Sequence, residues 1–262
     1  MTTRRLTDYF TPEHYELSLD IDRPGRAFKG IVTLRGRAVK DGPLYVHAKD
    51  LVIDTCHVNG SSADYSAGDN DEIEIQADMS AGSDYSVTFA YNGKITDQMH
   101  GMYPCYFTKD GEKMELVATQ FESHHAREVF PCLDEPEAKA TFDVTLSTET
   151  GVEVLGNMPV VSQREENSKL ITTFETTPRM SSYLLAWVYG DLHKRSTKTK
   201  RGIDVNVWAT TAQKPESLDF ALDFAAKTID YFEEYFGVEY PLPKSDHVAL
   251  PDFTSGAMEN WG

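Results

Sequence analysis

The sequence has no stretch approaching the roughly 18–20 consecutive apolar residues that a bilayer-crossing helix requires, so a membrane-spanning protein is not expected. Its first residues, Met1 to Asp8, carry Arg4 and Arg5 with no apolar run behind them and do not read as an export signal. Positive charge is scarce: 25 Lys and Arg stand against 42 Asp and Glu, for a formal net charge of −17. A surface of that sign repels phosphate, which argues against nucleic acid or an anionic membrane as a partner. The basic cluster Lys194, Arg195, Lys198, Lys200 and Arg201 is interleaved with Ser and Thr and closed by Gly202, and it reads as a solvated hairpin turn. Cysteine is sparse too. Cys56, Cys105 and Cys132 are odd in number, widely spaced and without a C-x-x-C pair, which fits a reducing compartment, and a cytoplasmic protein is the expectation. None of the eight histidines belongs to a His-Glu-x-x-His pattern, which would put two imidazoles on one helical face around zinc. His124 and His125 are adjacent, and adjacent residues share neither a helical nor a strand face, so that pair reads as structural rather than chelating. No internal repeat or low-complexity segment is present.

What the chain does have is apolar material in ordered patterns. Hydrophobic residues make up 40% of the 262 and aromatics 11%, ample for a packed core. Tyr15, Leu17, Leu19 and Ile21 alternate with polar residues, the period of a half-buried strand. Similar runs recur from Phe28 to Leu34, Leu44 to His47, Leu51 to Val58, Glu72 to Ile75, Tyr85 to Tyr91 and Glu115 to Thr119. Further runs lie at Ala140 to Ser147, Val152 to Asn157, Leu170 to Phe174, Leu184 to Tyr189 and Ile203 to Trp208. Turn signals such as Asp41-Gly42, Asn59-Gly60, Asn92-Gly93 and Asp110-Gly111 punctuate them. The period then changes. Leu218, Ala221, Leu222, Ala225, Ile229, Phe232 and Phe236 recur at three- and four-residue steps, predicting an amphipathic helix from Pro215 to Phe236 that Gly237 stops. The switch predicts a domain boundary, with residues 1–211 as an all-β domain and 212–262 as the start of a second one.

Two motifs carry the chemistry. Thr119-Gln120-Phe121-Glu122-Ser123-His124-His125-Ala126-Arg127, continuing through Phe130-Pro131-Cys132-Leu133-Asp134-Glu135-Pro136, precedes Gly256-Ala257-Met258-Glu259-Asn260 near the chain end. Both, in this order, resemble the substrate-binding segments of the zinc aminopeptidases of the aminopeptidase N family, the gluzincins that also include the leukotriene hydrolase. Tyr240-Pro241-Leu242-Pro243-Lys244 and Ala249-Leu250-Pro251-Asp252-Phe253 extend the likeness, which in weaker form covers most of the chain from Tyr9 onward.

The resemblance implies a mainly β fold: an amino-terminal β saddle or sandwich, followed by the first helix and strands of a truncated thermolysin-like α+β catalytic domain. It implies a substrate-binding set of Gln120, Glu122, Gly256, Ala257, Met258, Glu259 and Asn260, with a peptide laid along the 256–260 segment by strand-like pairing. Gly256 and Ala257 suit a close approach of two main chains, and Met258 offers a soft contact for the first side chain. An unblocked peptide ends in an ammonium of reference pKa near ~8, and desolvating it costs several kcal/mol unless anions meet it. Glu122 and Glu259 are the candidates for those anions. An acetylated terminus then binds worse by roughly 1.5–3 kcal/mol, the energy of a charge-assisted hydrogen bond.

Family members hold zinc with the motif this sequence lacks, so zinc, its ligands and the catalytic base are expected beyond residue 262. The chain itself is expected to contain no catalytic residue, to bind no metal and to be inactive alone. Its expected partners are peptides with a free amino terminus and the remaining catalytic and carboxy-terminal domains of the parent. The alternative is a non-catalytic peptide- or protein-binding β module. A third reading, epoxide hydrolysis, is disfavoured by Glu122, because the leukotriene hydrolase branch carries Gln there. Structural expectations complete the set: Arg127 and Asp134 form a hydrogen-bonded framework, Tyr183 and Trp187 belong to the core, residues after about 212 expose apolar surface or pair with another copy, and the resemblance implies a cis Glu122–Ser123 peptide bond.

Overall fold

A computed structural model describes residues 4–262 of the chain. The first strands are β1 (Phe10–Asp22), β2 (Ala27–Ala38), β3 (Gly42–His47), β4 (Val52–Val58), β5 (Ser61–Ser62) and β6 (Tyr65–Ala67). There follow β7 (Glu72–Met79), β8 (Asp84–Lys94), β9 (Gly101–Lys109), β10 (Glu112–Gln120) and β11 (Thr141–Glu149). Next come β12 (Glu153–Gly156), β13 (Val160–Glu166), β14 (Lys169–Phe174), β15 (Trp187–Gly190), β16 (Leu192–Lys198) and β17 (Asp204–Thr210). Helix α1 (Asp219–Phe236) separates β17 from β18 (Lys244–Val248). The architecture is mainly β, with one α-helix among the described residues, near the carboxy-terminal end.

The expected alternation produces the largest sheet. On β1, Tyr15, Leu17, Leu19 and Ile21 are buried, while Ser18 and Asp20 face solvent. Each such side chain removed from water contributes roughly 1.5–3 kcal/mol. β1 therefore lies inside an eight-stranded sheet ordered β13-β14-β11-β1-β2-β8-β4-β5, antiparallel to β2 and parallel to β11. A three-stranded sheet, β3-β7-β6, contributes Leu44, Val46 and Ile75 to the same core.

A four-stranded sheet, β12-β15-β10-β9, is covered on both faces. Val117, Val154, Trp187 and Tyr189 point into the main core, while Leu116, Ala118, Leu155 and Val188 pack with Trp208 of β17 on the opposite side. The third layer is the sheet β16-β17-β18. β17 and β18 are parallel, which requires a crossover of a dozen or more residues, and α1 provides it. Leu222, Ala225 and Ala226 of α1 pack on Val205, Val207 and Ala209 of β17. Gly237 ends the helix in the left-handed conformation at φ 65°, its N–H donating to Glu233 O at 3.0 Å, a geometry open to glycine at no Cβ penalty.

The apolar exposure expected after residue 212 is found on α1: Leu222, Ala225 and Ala226 are buried and Ile229 packs partly buried against their cluster, whereas Phe220, Phe224, Tyr231, Phe232, Tyr235 and Phe236 are exposed. Two other expectations change. The first predicted turn is a separate 3-10 segment, Pro215–Leu218. Lys194, Arg195 and Lys198 lie on β16 rather than in a turn; only Lys200 and Arg201 occupy the hairpin bend. Arg195 pairs with Asp219, Lys198 with Asp204, and Arg201 with Glu233 and Glu239. No helix among the described residues is long and apolar enough to cross a membrane.

Candidate functional site

The four-stranded sheet and the β16-β17-β18 sheet meet at a cavity of about 600 Å³. Its β wall comes from Thr119 and Gln120 at the end of β10, Asn157 just after β12, and Trp187 of β15. Hydrogen bonds fix that wall. Thr119 Oγ1 accepts the Trp187 N–H at 3.0 Å, and Asn157 Oδ1 accepts the Ala186 N–H at 2.8 Å.

The opposite wall is the segment after β18. Tyr103 Oη and Cys105 Sγ donate to Asp252 O at 3.2 and 3.4 Å, and the Tyr106 N–H donates to Asp252 Oδ2 at 2.6 Å. β9 thereby holds the start of the segment. Its far end is tied by Asn157 Nδ2, which donates to Trp261 O at 2.7 Å and to Leu184 O at 2.9 Å. Asn260 Nδ2 donates to Leu184 O at 3.1 Å. Below, Lys244 Nζ donates to Gly156 O, Asp246 and Gly262 O within 2.9 Å. Burial lowers the Lys244 pKa, while Asp246 opposes that shift.

Of the seven residues expected to bind substrate, five line this cavity: Gln120, Gly256, Ala257, Met258 and Asn260. Gln120 Nε2 donates to Met258 Sδ at 3.4 Å, joining two motifs 138 residues apart. Gln120 Oε1 is buried and has no partner. No backbone N–H from Gly256 to Asn260 donates to any described residue, and the segment forms no strand. It is therefore an open main-chain edge along the cavity. Glu122 and Glu259 are exposed, lie outside the cavity lining, and make no ion pair with a described residue. The Glu122–Ser123 bond is cis.

The framework behind Glu122 is buried. Arg127 Nε donates to Asp134 Oδ2 at 3.1 Å, Ser182 Oγ donates to Asp134 Oδ1 at 2.8 Å, and the Asp134 N–H donates to His47 Nδ1 at 3.1 Å. Burial, assisted by the Arg127 charge, drives the His47 pKa down to about 3. Trp187 is core at 1% exposure and also faces the cavity, so its two readings coincide; Tyr183 is only half-buried at the core edge.

One cluster escaped the sequence reading. His100, just before β9, and His125 and Glu128, in and beside the 3-10 turn Ala126–Glu128, bring their ligand atoms within 4.8 Å of one another. The histidines are 25 positions apart, a separation that no local pattern encodes. Only the His124-His125 doublet was visible in the sequence.

Comparison with known families fits this arrangement. Residues 11–184 match the peptidase M1 N-terminal domain, and residues 220–262 match the peptidase family M1 domain. Fold and matches together define the amino-terminal region of a peptidase. The chain belongs to the M1 peptidase family. It is 47% identical over 261 residues to an aminopeptidase N of Lactococcus lactis subsp. lactis, covering 98% of this chain and 30% of that protein. Identity is 41% to an aminopeptidase N of Lactobacillus helveticus, covering 100% of this chain and 31% of the relative. It is 37% to a puromycin-sensitive aminopeptidase of Caenorhabditis elegans, over 98% of this chain and 28% of the relative. The chain thus spans about 30% of the length of these curated relatives.

Proposed function

We propose that this chain is the substrate-anchoring portion of a zinc-dependent aminopeptidase that removes residues from the amino terminus of peptides. The observation that carries the reading is the meeting of Gln120 with the unpaired main-chain edge 256–260 across one cavity. A peptide laid there pairs its backbone with the free N–H groups, the energetic basis of strand addition. Gln120 Oε1, an acceptor without a partner, takes a donor from the substrate's leading residue. Met258 contacts the first side chain, and Asn260 holds the edge in place through Leu184 O. Glu122 and Glu259, solvated in the free protein, supply negative charge for the terminal ammonium when substrate closes the site.

The residues present do not form the family's zinc centre. Asp246 and His247 are the carboxylate and imidazole that line the cavity, two sequence neighbours rather than a helical chelate. Zinc and the catalytic base are assigned in this proposal to catalytic-domain sequence beyond residue 262, with the division between β domain and catalytic domain placed at 211/212. The β16-β17-β18 sheet crosses that division. The 262 residues alone then bind peptide without cutting it. A cytoplasmic setting is proposed from the reduced state expected of Cys56, Cys105 and Cys132, all free and buried.

Titrating the chain with a free-amine dipeptide amide and its N-acetylated counterpart tests the anchoring. The free amine should bind at least about tenfold more tightly, and Glu259→Ala should remove that preference. Equal affinity for the two ligands refutes amine capture. In a protein extended through the catalytic domain, hydrolysis of an aminoacyl chromogenic substrate should appear and be abolished by chelation; binding without hydrolysis there favours the non-catalytic peptide-binding module.

A further inference from the structure

We infer that His100, His125 and Glu128 form a transition-metal site of the zinc class, on the β domain and separate from the peptide-binding cavity. Two imidazoles and a carboxylate are a donor set suited to Zn²⁺, Co²⁺ or Ni²⁺. His100 Nδ1 lies 2.7 Å from Glu128 Oε2, and His125 Nδ1 lies 3.0 Å from Glu128 Oε1, so each imidazole meets a different oxygen of one carboxylate. The rings are stacked, with centroids 4.0 Å apart and planes 24° from parallel, and both Nδ1 atoms face the Glu128 carboxylate. Ligands about 2.0–2.2 Å from a shared zinc stand roughly 3.3 Å from each other; the two nitrogen–oxygen pairs, at 2.7 and 3.0 Å, need open only a few tenths of an ångström, and all three ligand atoms already lie within 4.8 Å of one another. The three side chains are between 12 and 27% exposed, open enough for entry of an ion and a completing water.

The surrounding structure holds the donors in register. The turn that presents His100 is left-handed on both sides, at Met99 with φ 55° and at Gly101 with φ 64°. For the non-glycine Met99 that left-handed conformation is uncommon. A Cβ at position 101 would sit 2.9 Å from Glu128 Oε2, so glycine there is what lets the carboxylate come up beside His100. Lys49 Nζ donates to Glu128 Oε1 at 2.9 Å and fixes the plane of the carboxylate, as an outer partner of a ligand does. Asp50 and Asp71 lie near Lys49 and offset its positive charge. Metal loading displaces any proton on the two ligating nitrogens into solvent. It also ties the approach to β9 to the 3-10 turn that follows Glu122 and Ser123.

The tag-free 262-residue chain is titrated with Zn²⁺ by calorimetry at neutral pH. One ion per chain is expected, with affinity reduced at least about tenfold in His100→Ala and in His125→Ala and unchanged in His57→Ala and His247→Ala. Far-UV circular dichroism of each variant confirms that it is folded. Independently of any substitution, Co²⁺ added to the unmodified chain should broaden the imidazole NMR signals of His100 and His125 first. Absence of stoichiometric binding, binding that survives both His100→Ala and His125→Ala, or first broadening at His247 overturns the assignment.

Discussion

Mild acid should weaken the β domain through one imidazole. His47 ends β3, is 6% exposed, and accepts the Asp134 N–H on Nδ1 at 3.1 Å, so the folded chain needs that nitrogen unprotonated. Burial first, then the nearby Arg127 and His124 charges, lowers its pKa to about 3. In the unfolded chain the value returns to about 6.5. Below pH 6.5 the unfolded state therefore binds a proton that the folded state refuses until about pH 3, so stability is intact above 6.5 and falls with falling pH across that window. Each pH unit costs about 1.4 kcal/mol, giving about 2 kcal/mol at pH 5 and roughly 5 at pH 3. The larger figure rivals the whole stability of a typical domain. Urea unfolding of the wild type and of His47→Gln, each at pH 7 and pH 5, isolates the effect. Glutamine can accept the Asp134 N–H but does not titrate. His125 and His247, also lowered by burial, are common to both proteins and cancel. The wild type should lose about 2 kcal/mol more than the variant between the two pH values, and equal losses would refute the reasoning.

Other perturbations have outcomes fixed by the same structure. Asp134→Ala leaves the buried Arg127 guanidinium without its carboxylate and should cost about 3–5 kcal/mol in chemical denaturation. Trp187→Ala removes a side chain at 1% exposure and should cost about 3–5 kcal/mol while enlarging the cavity, read as unfolding free energy and as altered dipeptide affinity. Replacing Phe220 and Phe224, stacked on each other at 81 and 62% exposure, with serine should lower the fluorescence of a bound hydrophobic dye and change stability by less than about 1 kcal/mol.

The sequence revealed strands wherever one face is buried and the other wet, as along β1, and it revealed α1 through the shift to a helical period. It was silent where that contrast fails. β13 is exposed at all seven residues, so no alternation marks it, and β9 is buried at its first five, with Pro104 interrupting the pattern. The exposure of Phe232 and Phe236 on α1 agrees with the apolar surface expected after residue 212. The motif at 119–127 and the 256–260 string pointed to one site, and the structure brings Gln120 and Met258 into contact. It leaves Glu122 and Glu259 in solvent. His100 had no visible connection to His125, since tertiary folding alone makes them neighbours.

The parallel pairing of β1 with β11 has a consequence for biogenesis. Residues His14 to Asp20 are matched to Thr141 to Ser147, so one flank of the earliest strand stays bare until more than a hundred further residues have left the ribosome. Nascent chains paused in that interval present an unsatisfied edge ready to capture β-prone segments of their neighbours. Slowed translation across that window should therefore favour aggregation over correct assembly, and occupancy by a holdase chaperone should peak there.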